Sequence, residues 1–355
     1  MKPSSFLSLY EKLEGLVRRL PEGLQQPILR EITPIKTLFL LQRPPRLVLL
    51  GPGGAGKAEL LRVLFGTDIL LPGEENLSDG HWHDHGSAGR GSLRILDARR
   101  PSSLTLLKSA ITAEAPDLFV FVSAPGDLNA DLEHAAQILA LAENGKLLGL
   151  SLPVAGADAE TARQDLHATL HTRPELGTHM LGTLPLSPVS HEQITHLIAL
   201  ELPGEAQLEM ARLSGNRGLQ KEIAQVVIKS VTAISAAIGA QPIPLADFPI
   251  LTSLQATMVA GIMHISGREM SVKLGGEFIA ALGANVGLGL VLREGSRAAA
   301  KFVPIWGNAI SGAVAAAGTY AMGRAAVGYF IEGVSIQDAR GLFRKKKAPT
   351  PLLEE

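Results

Sequence analysis

The chain contains no cysteine. That excludes disulfide bridges and thiolate metal centres, and with no secretory segment read at the N-terminus a cytoplasmic setting is expected. Charge is also scarce, at 19% of 355 residues. No excess of one sign exists: 33 Lys plus Arg face 34 Asp plus Glu, so bulk charge points to neither nucleic acid nor an acidic partner. No repeat of solenoid period is evident. A mean hydropathy of +0.20 is apolar for a chain of this length, and the apolar excess gathers in the last third. The length leaves room for two or three domains.

What is present is organised around Arg46-Leu47-Val48-Leu49-Leu50-Gly51-Pro52-Gly53-Gly54-Ala55-Gly56-Lys57-Ala58. An apolar run of strand length enters a glycine-rich loop, then a lysine, then a helix-compatible segment. That order suits phosphate binding: glycines let backbone N–H groups curl around phosphate oxygens, the helix N-terminus adds its positive dipole end, and Lys57 supplies a point charge. Gly51, Gly53, Gly54, Gly56 and Lys57 are therefore candidate phosphate contacts. At the next position Ala58 lacks the hydroxyl that such loops offer to Mg²⁺.

Before the loop, residues 1–45 read as a helical arm packed on the following domain. Phe6, Leu7, Tyr10, Leu13, Leu16, Val17 and Leu20 make one apolar stripe, and a second helix is expected over about 25–41. The alternative for the first stripe is an interfacial membrane helix. From 46 to 202 the rhythm is strand, then helix: strands at 47–50, 92–96, 117–123, 148–153 and 181–186, with helices between them. Continuous apolar strands alternating with amphipathic helices predict an α/β domain with a mostly parallel sheet covered on both faces, and the loop Gly51–Lys57 makes its resemblance one to P-loop NTPases.

Residues 43–46, the loop 51–57, Leu60-Leu61, Phe65-Gly66 and Leu93-Arg94-Ile95-Leu96-Asp97 together resemble the Era-like branch of the translation-factor-type P-loop GTPases. Pro242-Ile243-Pro244-Leu245-Ala246-Asp247 with Leu251-Thr252-Ser253-Leu254-Gln255 resembles the domain of unknown function DUF697, which occurs fused behind such GTPases. The resemblance spans about 40–335 and implies binding of GTP or GDP with Mg²⁺. It also implies a role for each motif. Asp97 would hold Mg²⁺ through water, although Arg100 stands where a glycine meets the γ-phosphate. Arg99 and Arg100 read as surface arginines, with an intramolecular arginine finger as the alternative. Asp158 would accept two hydrogen bonds from guanine, while Ala155 and Gly156 replace the residues that support it; a helix cap is its other reading. Ser187 stands in the last base-contacting loop. The first switch, between Gly66 and Ser92, offers Ser78 and Ser87 but no suitably placed threonine.

That segment also carries His81-Trp82-His83-Asp84-His85. A solvated loop anchored by Trp82 is expected, with a Zn²⁺ or Ni²⁺ site on alternating histidines as the alternative. No general-base or nucleophile constellation appears, and the remaining histidines, His134 and His179 among them, read as surface or capping residues. Departures at several motifs serving one ligand predict a degenerate GTPase-like regulator that binds guanine nucleotide weakly, with an impaired cycle.

Residues 205–335 read as an all-α domain, broken near Ser214-Gly215-Asn216, and 336–355 as a basic, flexible tail. Gly312 and Ala316, one turn apart, allow close helix approach. Phe302–Gly323 is uncharged and long enough to span a bilayer, but Pro304, Gly307 and Asn308 favour a helical bundle. The expected partners are guanine nucleotide, a protein or a second copy through the helical domain, and a membrane surface. The competing view is a structural or membrane-associated protein whose α/β domain is only a scaffold.

Overall fold

The computed structural model describes residues 22–54, 56–65, 80–87, 90–99, 103–142, 144–152, 156, 158–240, 247–283 and 304–344, with 11, 14, 15 and 18. The chain divides into two compact units. One is Arg43–Gly218, and the other joins Met1–Gln42 to Leu219–Glu355.

The first unit is a six-stranded mixed sheet in the order β2-β3-β1-β4-β5-β6. Its strands are β1 (Arg46–Leu50), β2 (Trp82–Ser87), β3 (Gly91–Asp97), β4 (Leu118–Ser123), β5 (Leu147–Ser151) and β6 (Met180–Pro185). All neighbours are parallel except β2, which runs antiparallel to β3. Helices α2 (Lys57–Phe65), α3 (Leu104–Ala113), α4 (Asn129–Leu139), α5 (Ala159–His171), the short α6 (Pro174–Gly177), α7 (His191–Glu201) and α8 (Gly204–Ser214) complete the unit.

Alternation along the strands builds two cores. Val48, Leu50, Leu96, Phe119, Phe121 and Leu147 pack with Leu107 and Ile111 of α3, Leu132 and Ile138 of α4, and Leu166 and Leu170 of α5. The intervening residues, such as Leu49 and Ile95, are equally buried and turn to the opposite face. Burial on both faces explains why β1 and β4 read as unbroken apolar runs.

The region expected to be a loop at His81–His85 is instead an edge strand. Asp84 pairs with Arg94 in register and by an ion pair of 3.0 Å, and Trp82 packs on the core and donates from Nε1 to the Ala110 carbonyl at 3.2 Å. Its polar sequence conceals a strand that only one neighbour pairs. Among the described residues no group of three His, Cys, Asp or Glu side chains could hold a metal ion.

At the N-terminal edge of the sheet, Arg43 forks onto Asp117 at 2.7 and 2.8 Å while the Arg46 N–H donates to the same carboxylate at 2.9 Å. This hydrogen-bonded carboxylate, ahead of the opposing cost of burial, raises the Arg43 pKa above its ordinary value.

The second unit contains α1 (Glu22–Leu40), α9 (Arg217–Gly239, whose first two residues belong to the other unit), α10 (Asp247–Ile265), α11 (Val272–Ala281), α12 (Pro304–Val327), a π-helical turn at Gly328–Glu332, and α13 (Ile336–Arg344). The break before α9 falls at Gly215, in the left-handed conformation. Helix α1 buries Ile28, Ile32, Ile35 and Leu38, one stripe of a 3.6-residue period, in this unit. Its end packs on α10: a Cβ on Gly261 would lie 3.0 Å from the Phe39 ring, and His264 hydrogen-bonds Gln42 at 3.1 Å.

Small residues bring these helices close, at Gly312 as its spacing from Ala316 suggested and at Gly275 as well. A Cβ on Gly275 of α11 would meet the Ala256 carbonyl oxygen at 2.5 Å. One on Gly312 of α12 would meet that of Ala236 at 2.7 Å. A buried hydrogen bond of 2.9 Å from Gln255 to Thr319 joins α10 to α12. Among the described residues one helix, α9, is long and apolar enough to cross a membrane, and 56% of that window is buried inside the protein. Phe6, Leu7, Tyr10, Leu13, Leu16, Val17 and Leu20 of the first stripe, Pro242-Ile243-Pro244-Leu245-Ala246, residues 284–303 and the tail from 345 lie outside the described residues.

Candidate functional site

The loop 51–56 leaves β1 at the point where the sheet's connections diverge. From β1 the chain goes to β2 and β3 on one side, then crosses to β4 on the other. Such a switch point opens a crevice beyond the carboxyl ends of the strands. Gly51, Gly54 and Gly56 all have positive φ, at 119°, 81° and 80°. Gly51 is needed twice over, because a Cβ there would sit 2.2 Å from the Val122 carbonyl oxygen of β4. Gly56 lies as close to the Val122 side chain, whereas Gly53 and Gly54 are exposed.

Lys57 is the first residue of α2 and is buried. Its Nζ lies 3.8 Å from Oδ2 of Asp97, the last residue of β3 and also buried. Parallel register sets Asp97 beside Leu49, two residues before Gly51. The Ala98 N–H extends this pairing to the Leu49 carbonyl at 2.9 Å.

Asp97 is already engaged. Arg99 donates from Nε to Oδ1 at 2.9 Å and from a terminal nitrogen to Oδ2 at 2.7 Å, and its side chain is 3% exposed. The expectation of a surface arginine is therefore corrected at Arg99. The reason is the period of the strand: residues two apart share a face, so Arg99 follows Asp97 to one side while Leu96 and Ala98 join the core on the other. This partner was missed, although the Asp-x-Arg spacing at a strand end carried the signal. His134, expected at the surface, is half-buried and hydrogen-bonds the Ala98 carbonyl at 3.1 Å.

These residues do not fit a divalent cation at Asp97. Both carboxylate oxygens accept hydrogen bonds from a guanidinium, and Ala58, the second residue of α2, presents a methyl group where a hydroxyl ligand would be needed.

The loops after β5 and β6, where a base contact was expected, are built differently. Asp158 is exposed and caps α5, accepting from the N–H and the hydroxyl of Thr161, each at 3.0 Å. In the first turn of α5 Glu160 is held by Arg163 at 2.8 Å, and that hydrogen bond lowers the carboxyl from an ordinary 4.5 to about 2. Gly156 has φ +83° with open space around it. Ser187 begins the 3₁₀ turn Pro188–Ser190, and its hydroxyl lies 3.2 Å from that of Ser190. The structure thus brings the loop, Lys57 and Asp97 together, while Asp158 and Ser187 serve the local turns that follow β5 and β6. Ala55, Arg100, Ala155 and Ala157 lie outside the described residues, as does most of the expected first switch. Set against family models and against curated proteins, the chain matches none.

Proposed function

We propose that this is a GTPase-like regulatory protein with a degenerate site. Its α/β unit holds nucleotide through the phosphates, selects guanine only weakly and turns it over slowly or not at all. The helical unit carries the contact with a protein or membrane partner.

The observation that supports this most is the loop itself. Three glycines with positive φ lie between the carboxyl end of β1 and the first turn of α2, with Lys57 as the first helical residue, at the switch point of the sheet. Backbone N–H groups turned inward by such φ values form an anion cradle, and the lysine beside it neutralises charge at the outer phosphates. Weak base selection is supported by Asp158, whose Oδ2 already accepts both hydrogen bonds of the α5 cap, and by Ala155 and Gly156 beside it in sequence. Slow turnover follows from Ala58 and from Asp97 held by Arg99, because phosphoryl transfer rests on positioned metal and loop charges.

Calorimetry with GTP, GDP and ATP tests the reading. Binding is expected for all three and is lost by about tenfold or more in Lys57→Ala, the loss of a charge-assisted phosphate contact. Absence of binding up to millimolar nucleotide, or a fast hydrolysis abolished by Lys57→Ala, would contradict it. The scaffold reading draws on α9, the one described helix of membrane-spanning length and apolarity. Flotation of the full chain with liposomes of neutral and anionic lipid decides for that reading if the chain rises with the vesicles without any nucleotide effect.

A further inference from the structure

From the Asp97–Arg99 pair we infer that Arg99 stands in for the divalent cation: phosphate binding at the Gly51–Lys57 loop is independent of metal, and Asp97 positions Arg99 instead of coordinating an ion. This rests on the reading of the loop as a phosphate site.

A polyphosphate needs positive charge around it, and the loop amides and one lysine supply part of that. In a metal-using site a carboxylate at the end of the neighbouring strand recruits the rest as a hydrated cation. Here the carboxylate is in the same register position, beside Leu49, but its two oxygens are filled by the Nε and terminal nitrogen of Arg99 at 2.9 and 2.7 Å. The guanidinium is planar, always charged and locked by a two-pronged hydrogen bond, so it is a fixed cation of fixed orientation. It lies on the same side of β3 as Asp97, whose Oδ2 is also 3.8 Å from Lys57 Nζ. The arginine and the lysine thus flank one carboxylate. A divalent ion could take the carboxylate only by displacing a guanidinium that is 3% exposed, which would break a buried ion pair.

Ala58 fits the same picture. A hydroxyl at that position ligates the metal, and where an arginine supplies the charge the ligand has no task. The two departures at separate points of the chain, Ala58 on α2 and Arg99 after β3, are then one change seen twice.

The account differs from a merely weakened metal site in what happens to Asp97. If Asp97 holds a cation, Asp97→Asn weakens nucleotide binding and does so only when Mg²⁺ is present. If Asp97 holds Arg99, the same change breaks the two-pronged hydrogen bond that orients the guanidinium, and binding weakens to the same extent with and without Mg²⁺.

The experiment is calorimetric titration of the full chain with GDP, GTP and inorganic tripolyphosphate, each in excess Mg²⁺ and again in excess EDTA. Thermal melts of every variant verify folding. The wild type is expected to bind each ligand with the same affinity in both media, within about twofold. Asp97→Asn is expected to bind more weakly than the wild type by the same factor in Mg²⁺ and in EDTA, because the guanidinium loses its two-pronged partner. Arg99→Ala is expected to lose about tenfold or more in EDTA and to regain part of that with Mg²⁺, once the carboxylate is open to an ion. If Arg99→Ala fails to fold, Asp97→Asn and the wild-type comparison decide alone. Nucleotide binding that requires Mg²⁺, or a folded Asp97→Asn that binds more weakly only in Mg²⁺, overturns the inference. Tripolyphosphate separates the two readings: if it binds without metal while nucleotides do not, the inference stands and the nucleotide reading falls. If none of the ligands binds, both fall.

Discussion

The glycine-loop side of the candidate site, proposed to hold phosphates, and the Asp158 side, proposed to meet a base, sit on one sheet but are built by opposite means. At the phosphate side Lys57, Asp97 and Arg99 are buried, their charges answer one another, and the backbone of the loop is held against β4 at Gly51. At the base side Asp158 and Gly156 are exposed, and Asp158 and Ser187 make hydrogen bonds within three residues of themselves. Burying charge is expensive unless it is paired, so a buried triad marks a constraint on this fold. An exposed cap costs little and specifies little beyond its own helix. A ligand that used both sides equally would be expected to leave matching constraints on each. The difference favours a ligand gripped by its phosphates.

Substitutions on the two sides should therefore separate by size. Gly51→Ala is expected to have the largest effect, about 4 kcal/mol or outright failure to fold, since φ is +119° and the new Cβ would meet a backbone oxygen at 2.2 Å. Gly54→Ala, at φ +81° with open space, is expected to cost about 1 kcal/mol by the backbone term alone. Equal urea-unfolding shifts for the two would break the picture of a loop pinned to β4. Arg99→Ala comes next at about 3 kcal/mol, because it strips the main partner from a buried carboxylate that keeps Lys57 at 3.8 Å. A shift below about 1 kcal/mol would mean that the pair is an ordinary surface bridge.

Asp158→Ala should cost about 1 kcal/mol, the usual loss of an N-cap, and leave the ratio of GTP to ATP affinity unchanged within about twofold. A large fall in that ratio would restore a guanine contact to Asp158. The smallest effect belongs to Glu160. Its folded pKa of about 2 lies below the ordinary 4.5, so its contribution is whole above 4.5 and is lost as pH falls through that value toward about 2. The Glu160 carboxyl resonance should titrate near about 2 in the wild type and near its ordinary value in Arg163→Ala.

Much of the α/β unit was legible because its signals are local. The apolar run 47–50, the glycines that follow and the lysine lie within eleven residues, and each parallel strand after it carries its own apolar core. Trp82–Ser87 was not read as a strand because an edge strand with one paired neighbour has no need of an apolar pattern. Arg99 was misplaced for a related reason. Charge alone says surface, and only the strand period says that Asp97 and Arg99 face one another. The grouping of α1 with the C-terminal helices lies beyond sequence reasoning altogether. It depends on Phe39 meeting Gly261 and Gln42 meeting His264, contacts some 222 residues apart that leave no local pattern.

The central claim is that the phosphates, and not the base, carry recognition. Amide chemical-shift mapping of the full chain with GTP tests it most directly. The account predicts large shifts at the amides of Gly51 to Lys57 and at the Arg99 side chain, with Asp158, Thr161 and Ser187 unmoved. Shifts at Asp158 and Ser187 with a silent glycine loop would contradict it.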